Sequence, residues 1–227
     1  MGYTLGGIYL SYDFSIIYEK FPIFIPAAIE TLKISAAAIL VGVIFGLIIA
    51  FGRLSKIKII YYISTLYVTI IRGTPIILQL FIVYFGLANI VRLDPFPSAV
   101  IAFGAHNAAY IAEIFRGSIL SIDKGQMEAA RSIGMSNFLA MRRIVLPQAF
   151  KRAVPNLGNQ FIIAIKDSSL ASTIAVGELL LKAQQLGSSN FRFMEYLVLA
   201  GIYYLIITGV LSIFVNKLEK RLAVSER

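Results

Sequence analysis

Cysteine is absent from the 227-residue sequence, which excludes disulfides, thiolate metal sites and cysteine nucleophiles and leaves the redox compartment open. Histidine occurs once, as His106, and one imidazole builds no metal cluster. Charge is scarce as well: 15% of residues are charged, against about 25% in a typical soluble domain, while 58% are hydrophobic. Those proportions argue against a soluble fold. The net charge of +9 would suit nucleic acid, yet a membrane protein gains such an excess by keeping Lys and Arg in its cytoplasmic loops. No low-complexity tract or internal repeat stands out, and no Ser/His/Asp or metal constellation points to covalent chemistry.

What is present is a set of long apolar runs. Crossing the ~30 Å hydrocarbon core takes about 20 mostly apolar helical residues. Residues 34–51, 73–91, 95–112 and 196–216 are uncharged windows of that kind, and a fifth, residues 153–177, holds Lys166 and Asp167 in its middle. Residues 57–71 are apolar enough to span, but run into Arg72-Gly73-Thr74-Pro75, where Gly and Pro break or kink a helix. They are an interfacial segment or a sixth span, and charge arbitrates. With five spans and an external N-terminus, Arg53, Lys56, Lys58 and the basic residues from Arg116 to Arg152 are cytoplasmic, with Lys217, Lys220, Arg221 and Arg227; only Lys20, Arg92, Lys182 and Arg192 lie outside. A sixth span would translocate the whole of the 116–152 stretch, against the positive-inside rule. The expectation is an all-α membrane protein of about five transmembrane helices. It forms a single domain over residues 1–227, with a cytoplasmic loop at about 116–152, an external N-terminus and a cytoplasmic C-terminus. Residues 1–10 lack the positive start and small-residue cleavage site of a signal peptide and read as mature chain. Residues 14–24, aromatic with Glu19, Lys20 and Pro22, suit a helix along the outer interface or a plain tail.

The loop between the third and fourth spans is too long and polar for a minimal helix connection. It reads as two short helices, one over about 124–133 with Asp123 as N-cap and Gly134 as stop, the next starting after Ser136. The second ends near Leu146, because Pro147 disfavours helical geometry in the residue before it. Met127, Ala130 and Ile133 recur at helical spacing and face a partner, leaving Glu128 and Arg131 to water or polar contacts. Helix, glycine turn and helix with Arg142 and Arg143 also resemble a DNA-binding helix-turn-helix. Both ends are tied to membrane spans, however, so no nucleic-acid partner is expected.

Glu128-Ala129-Ala130, three residues, Gly134, nine residues, then Ile144-Val145-Leu146-Pro147 resembles the EAA signature of permease subunits of ATP-binding-cassette (ABC) importers. Further stretches resemble the polar-amino-acid branch, whose members import histidine, glutamine or arginine: Arg72-Gly73-Thr74-Pro75 with Gln79-Leu80, Asn107-Ala108-Ala109-Tyr110 with Glu113 and Arg116-Gly117, Lys124-Gly125-Gln126, Leu146-Pro147-Gln148-Ala149, and Lys166-Asp167-Ser168-Ser169-Leu170. Arginine and histidine permeases offer the nearest likeness; Ser118 departs from it where a second glycine is expected. The resemblance implies a type I importer permease of the bacterial inner membrane, which carries no cofactor and is no enzyme. Glu128, Ala129, Ala130, Gly134 and Arg131 would seat in a cleft of a separate ATPase. Two copies of that ATPase bind ATP and Mg; this chain has no GxxxxGK[ST] phosphate loop and is not the ATPase itself. The other implied partners are a second permease copy or paralogue, a substrate-binding protein, membrane lipid and the transported amino acid.

A charge at the bilayer centre costs about 2.5–3.5 kcal/mol on insertion scales, so intramembrane ionisable residues are functional candidates. The strongest are Glu113 and the pair Lys166-Asp167, with Asn107 and Tyr110 on the third span and Asn156, Asn159, Gln160, Ser168 and Ser169 on the fourth. Residues 106, 110 and 113 share one helical face, and 156, 159, 160 and 167 approximately another. The two acids suit a cationic amino acid such as arginine through bidentate contacts. The competing reading has Lys166 neutralising an acid and Glu113 standing at the cytoplasmic membrane edge. Asp167 is preferred over Glu113, with Asn159 next. His106 reads as an interhelical hydrogen-bonding residue. Arg72 marks the inner membrane edge or holds a substrate carboxylate, and Gly42 with Gly46 forms a close-packing pair. An ion-coupled secondary transporter working through Asp167, Glu113 and Lys166 is the alternative, and it leaves the EAA loop unexplained.

Overall fold

The computed structural model describes residues 3–5, 8–10 and 12–224. The cytoplasmic placement expected of Arg227 lies outside them, as does part of the 1–10 stretch. A short hairpin, β1 (Tyr3–Leu5) with β2 (Ile8–Leu10), pairs antiparallel with Tyr3 opposite Leu10. From there the architecture is helical. α1 (Ser15–Lys20) passes through a 3₁₀ turn (Phe21–Phe24) into α2 (Ile25–Arg53), and Pro22 and Pro26 fall in first turns, where a missing N–H breaks no helical bond. This segment does not lie along the interface as a separate piece. Ile16 and Phe24 are buried with Tyr196 and Leu199, and the Tyr203 hydroxyl donates to the Phe21 carbonyl at 2.6 Å. At its start Asp13 accepts from the Ser15 hydroxyl (2.6 Å) and amide (3.1 Å) and from Arg192 (3.2 Å), and these bonds, Ser15's first, hold its carboxyl below the ordinary carboxylate range.

α2 packs along α5 (Pro95–Leu120) through small residues at four-residue spacing: Ala38, Gly42, Gly46 and Ala50 are all buried. A Cβ on Gly42 would stand 2.9 Å from that of Asn107, and one on Gly46 3.0 Å from the Ala108 carbonyl oxygen. Close backbone approach is what the glycine pair provides, as its spacing predicts.

The next helical stretch is broken. α3 (Lys58–Gly73) and α4 (Ile76–Phe81), which continues as a π-helical turn (Ile82–Gly86), stand at 107° to each other. Pro75 pushes Thr74 to an extended conformation (φ −122°, ψ 147°) and ends α3. The sequence leaves α3 as an interfacial segment or a sixth span, and in the fold it packs on α5. Its Tyr67 hydroxyl donates to the Ala105 carbonyl at 2.6 Å, and Val68 is buried with Ala109, Ala112 and Phe115 of α5. α4 inserts Leu80 into a cluster with Ile34, Ala99 and Phe103 nearer the other end of α5. Each half thus covers a different stretch of α5, in a pair bent as a broken span or a re-entrant loop is.

α5 leads through α6 (Lys124–Ser132) and α7 (Asn137–Ala140) to a π-helical turn (Met141–Val145) and α8 (Leu146–Asp167). A 3₁₀ segment (Ser168–Ile174), α9 (Leu179–Asn190) and α10 (Phe193–Val224) complete the chain. By length and apolarity alone, Ser15–Arg53 and Phe193–Leu222 qualify as spans, with the bent pair as a third. α5 and α8, of 26 and 22 residues, reach across ~30 Å but carry the polar interior. Two expectations need correction. The fourth span does not hold Lys166 and Asp167 at its centre: α8 ends on Asp167. The helix after Ser136 does not stop near Leu146 either, because Pro147 enters at the start of α8, immediately after a π turn whose i→i+5 register has already interrupted the ordinary ladder.

Candidate functional site: polar interior and coupling surface

Midway along the bundle the polar side chains satisfy one another across helices. Asn107, fully buried on α5, donates to the Phe103 carbonyl (2.8 Å) and accepts from Gln160 of α8 (2.9 Å). Gln79 of α4 folds back over the break, and its amide nitrogen donates to the Ile71 carbonyl (2.8 Å) and the Thr74 hydroxyl (2.9 Å), satisfying orphan groups at the end of α3. Its amide oxygen meets His106 Nδ1 at 3.1 Å, so the lone histidine bonds a neighbouring helix, as expected. Arg72 closes α3 beside α5, within electrostatic reach of Glu113. Its guanidinium lies 5.1 Å from the centre of the Tyr110 ring, and that ring lies 4.9 Å from His106. Tyr110 sits ten residues before the end of α5, about 15 Å along the helix.

The polar face read from α8 divides in two. Asn156 and Asn159 are exposed and continue through Ile163 to Lys166 as an open stripe, whereas Gln160 is buried and Asp167, seven residues on, is half-buried on its flank. Among the described residues no hydrogen bond or ion pair reaches the Asp167 carboxylate. It stands at the carbonyl end of α8, where the helix dipole disfavours an anion. The hydroxyls of Ser168 and Ser169 donate backward to the carbonyls of Ile165 (2.8 Å) and Lys166 (2.7 Å), which holds the tightened 3₁₀ turn; Ser168 is fully buried beside Tyr204, and the oxygen of Ser169 keeps capacity to accept.

Glu113 is engaged otherwise. Arg116 donates to it twice (Nη2 at 2.8 Å, Nε at 3.1 Å), and Arg53 of α2 approaches at 3.3 Å. This geometry favours the reading in which Glu113 ties α2 to α5 near their common end. No group of three or more potential metal ligands occurs among the described residues.

The loop helix α6 is capped at both ends by its own sequence. The Asp123 carboxylate accepts from the Gly125 amide at 2.6 Å. At the far end Gly134 takes φ +86°, with Met135 N–H bonding the Ala130 carbonyl (3.1 Å) and Gly134 N–H the Arg131 carbonyl (3.0 Å), a Schellman motif. Arg131 donates across the turn to Asn137 at 2.6 Å. The outward face differs from the one expected. Ala130 is buried and Met127 packs against Ile119, Ile122, Val145 and Ala149, so both hold α6 to its own chain. Glu128, Ala129, Ser132 and Ile133 point outward, with Phe138 beside them; Ile133 and Phe138 are 79% and 74% exposed. α7, the π turn and α8 form one unbroken helical run, so whatever holds α6 acts on the helix that ends at Asp167.

Residues 42–224 match the family of the binding-protein-dependent transport system inner membrane component. The chain belongs to that family. As an inner-membrane transport component it passes a substrate across rather than transforming it. Among its relatives, the glutamine transport system permease protein GlnP of Escherichia coli (strain K12) is 40% identical over 95% of this chain and all of that protein. The arginine transport system permease protein ArtQ of Bacillus subtilis (strain 168) is 34% identical over 94% of this chain and 98% of ArtQ. A crystal structure of an amino acid ABC transporter with histidines superposes with a TM-score of 0.89 at 37% identity, over 93% of this chain and 100% of that one.

In this permease two buried acids escaped the sequence reading, Glu195, which accepts from the Asp13 amide at 3.2 Å, and Glu178. Glu178, fully buried, caps α9 by accepting from the amides of Leu180 (2.8 Å) and Leu181 (2.7 Å), and takes a further bond from the Tyr204 hydroxyl (2.7 Å). An acid just before an apolar run is an N-cap signal. α9 itself was not expected, because its polar second half hid the helix.

Proposed function

We propose that this permease is the membrane-embedded subunit of an ATP-driven importer of polar amino acids, with a preference for cationic ones. Amino-acid import is supported by the relatives over nearly the full chain and by the superposable amino acid transporter. Two permease chains, identical or paralogous, enclose the path and receive substrate from a binding protein. The exposed face of α6 seats on a separate ATPase that binds ATP and Mg. The N-terminus lies outside and the C-terminus in the cytoplasm of the bacterial inner membrane, in keeping with the excess of Lys and Arg on the α6 side.

The cation preference is carried by one observation: Asp167 is half-buried, without a hydrogen bond or ion pair among the described residues and with only the exposed Lys166 charge near it, at the disfavoured end of a helix dipole. A guanidinium, imidazolium or ammonium relieves that anion, and a bidentate guanidinium does so best. The oxygens of Ser168 and Ser169 supply accepting groups beside it, and Asn159, about 12 Å back on the open stripe of the same helix, offers a further polar contact along the path. Asn107, Gln160, Tyr110 and Glu113 take supporting places that keep the path open.

The test is ATP hydrolysis by the permease reconstituted with an importer ATPase and binding protein, against arginine, histidine, lysine and glutamine. The cationic substrates should stimulate most. Asp167→Asn should weaken their effect roughly tenfold, as expected for loss of a charge-assisted hydrogen bond, with basal turnover kept. Strongest stimulation by glutamine, unchanged in Asp167→Asn, would assign the site to neutral amino acids.

A further inference from the structure

Where α2, α5 and the first turns of α8 meet beside the coupling loop, a groove of about 500 Å³ opens on the surface. Leu47, Phe51, Ile119 and Phe150 are among its walls, and its lining is apolar except for two cations, Arg142 and Lys151. Both are exposed, and neither makes a hydrogen bond or ion pair among the described residues. The groove continues an apolar strip along α2, where Leu40, Ile44 and Ile48 are exposed beside Leu47 and Phe51. That strip differs from the open stripe of α8, whose Asn156, Asn159 and Lys166 suit a polar path or a protein neighbour.

A groove walled by apolar side chains and bordered by two exposed cations matches a molecule with an acyl chain and an anionic head. We propose that this groove holds one anionic phospholipid of the cytoplasmic leaflet, its chain against Leu47, Phe51 and Phe150 and its phosphate between Arg142 and Lys151. The choice of leaflet rests on the orientation given under Proposed function; the lipid selectivity does not. Basic pockets between spans on the cytoplasmic side recognise headgroups in this way. Arg142 belongs to the π turn and Lys151 to α8, so the headgroup bridges the joint through which α6 reaches the span.

The chain contains no tryptophan, which allows a single reporter. Phe150→Trp places it in the groove, and Phe45→Trp places it on the exposed apolar surface of α2 away from any cation. Each full-length variant is reconstituted into phosphatidylcholine vesicles containing phosphatidylglycerol, with bromine carried on the chains of one lipid or the other. At Phe150→Trp, brominated phosphatidylglycerol should quench with an apparent affinity roughly fivefold above phosphatidylcholine, the preference one cation near a headgroup provides. At Phe45→Trp the two lipids should quench alike. Adding Arg142→Ser and Lys151→Ser should abolish the preference while leaving quenching at Phe45→Trp unchanged, which certifies insertion. Equal quenching by both lipids at Phe150→Trp overturns the proposal. So does the absence of quenching there by either lipid, which would mean that a second copy of the chain covers the groove. A wrong orientation shows up separately, as reversed labelling of α6 from outside the cell, without altering lipid preference.

Discussion

Two acids on facing spans look equivalent in the sequence and part company in the fold. Glu113 is held by Arg116 and Arg53, while Asp167, with no hydrogen bond or ion pair among the described residues, feels only the nearby charge of Lys166. Spacing reveals which residues share a helix but not which cation folds onto which acid, so the even choice between substrate contact and structure for Glu113 needed coordinates. Glu113→Gln should therefore lower the thermal stability of the detergent-purified permease by about 1.5–3 kcal/mol, the range for a hydrogen bond to a charged group, and leave the order of amino-acid preference intact. A reordered preference would place Glu113 in the substrate path. Gln160→Leu removes the one bond joining Asn107 to α8 and should cost less, about 0.6 and at most about 1.7 kcal/mol, as interhelical bonds in membranes do. Comparing the melting temperatures of the two variants checks that order. His106 was legible because one imidazole in an apolar helix has few uses besides a neighbouring helix.

Among elements, α6 was the most legible: Asp123, Gly134 and Ser136 mark its edges by chemistry that is local in sequence. Its orientation was not, since periodicity groups Met127, Ala130 and Ile133 without saying what they meet. Two of the three pack on their own chain, and the exposed face is Glu128, Ala129, Ser132 and Ile133. Gly134→Pro forces φ to about −65° and deletes the N–H bonded to Arg131, and Glu128→Lys reverses the charge on the exposed face. Both variants should insert normally and fail to co-purify with the ATPase; retention by both would remove α6 from the interface. The break between α3 and α4 was half legible. Arg72-Gly73-Thr74-Pro75 announces a break, but the latch by Gln79 joins residues of both halves and is visible only in three dimensions. Gln79→Leu, which strands the Ile71 and Thr74 groups and the His106 ring, should destabilise by about 1–3 kcal/mol, read as a lowered melting temperature.

For the whole molecule, the helical membrane class followed from apolar run length, and the expected direction of the spans rests on the placement of Lys and Arg alone. The end of α8 at Asp167 did not, because residues 168–177 stay apolar enough to mimic a continuing helix while Ser168, Ser169 and Thr173 turn their hydroxyls back on the chain to form a 3₁₀ segment. The absence of cysteine makes orientation easy to check. Ser189→Cys, exposed on α9, should react with an impermeant maleimide in intact cells, and Ser132→Cys, exposed on α6, only after permeabilisation; the opposite pattern would invert the topology. The central claim, that this permease moves amino acids by borrowing a separate ATPase through α6, meets its most direct test in proteoliposomes. Uptake of labelled arginine is measured with the ATPase, binding protein and ATP, with and without an ionophore that collapses proton and sodium gradients. Uptake should require ATP and the ATPase, persist with the ionophore and vanish in Gly134→Pro. Uptake that proceeds without the ATPase and collapses with the ionophore would contradict the account and establish an ion-coupled transporter instead.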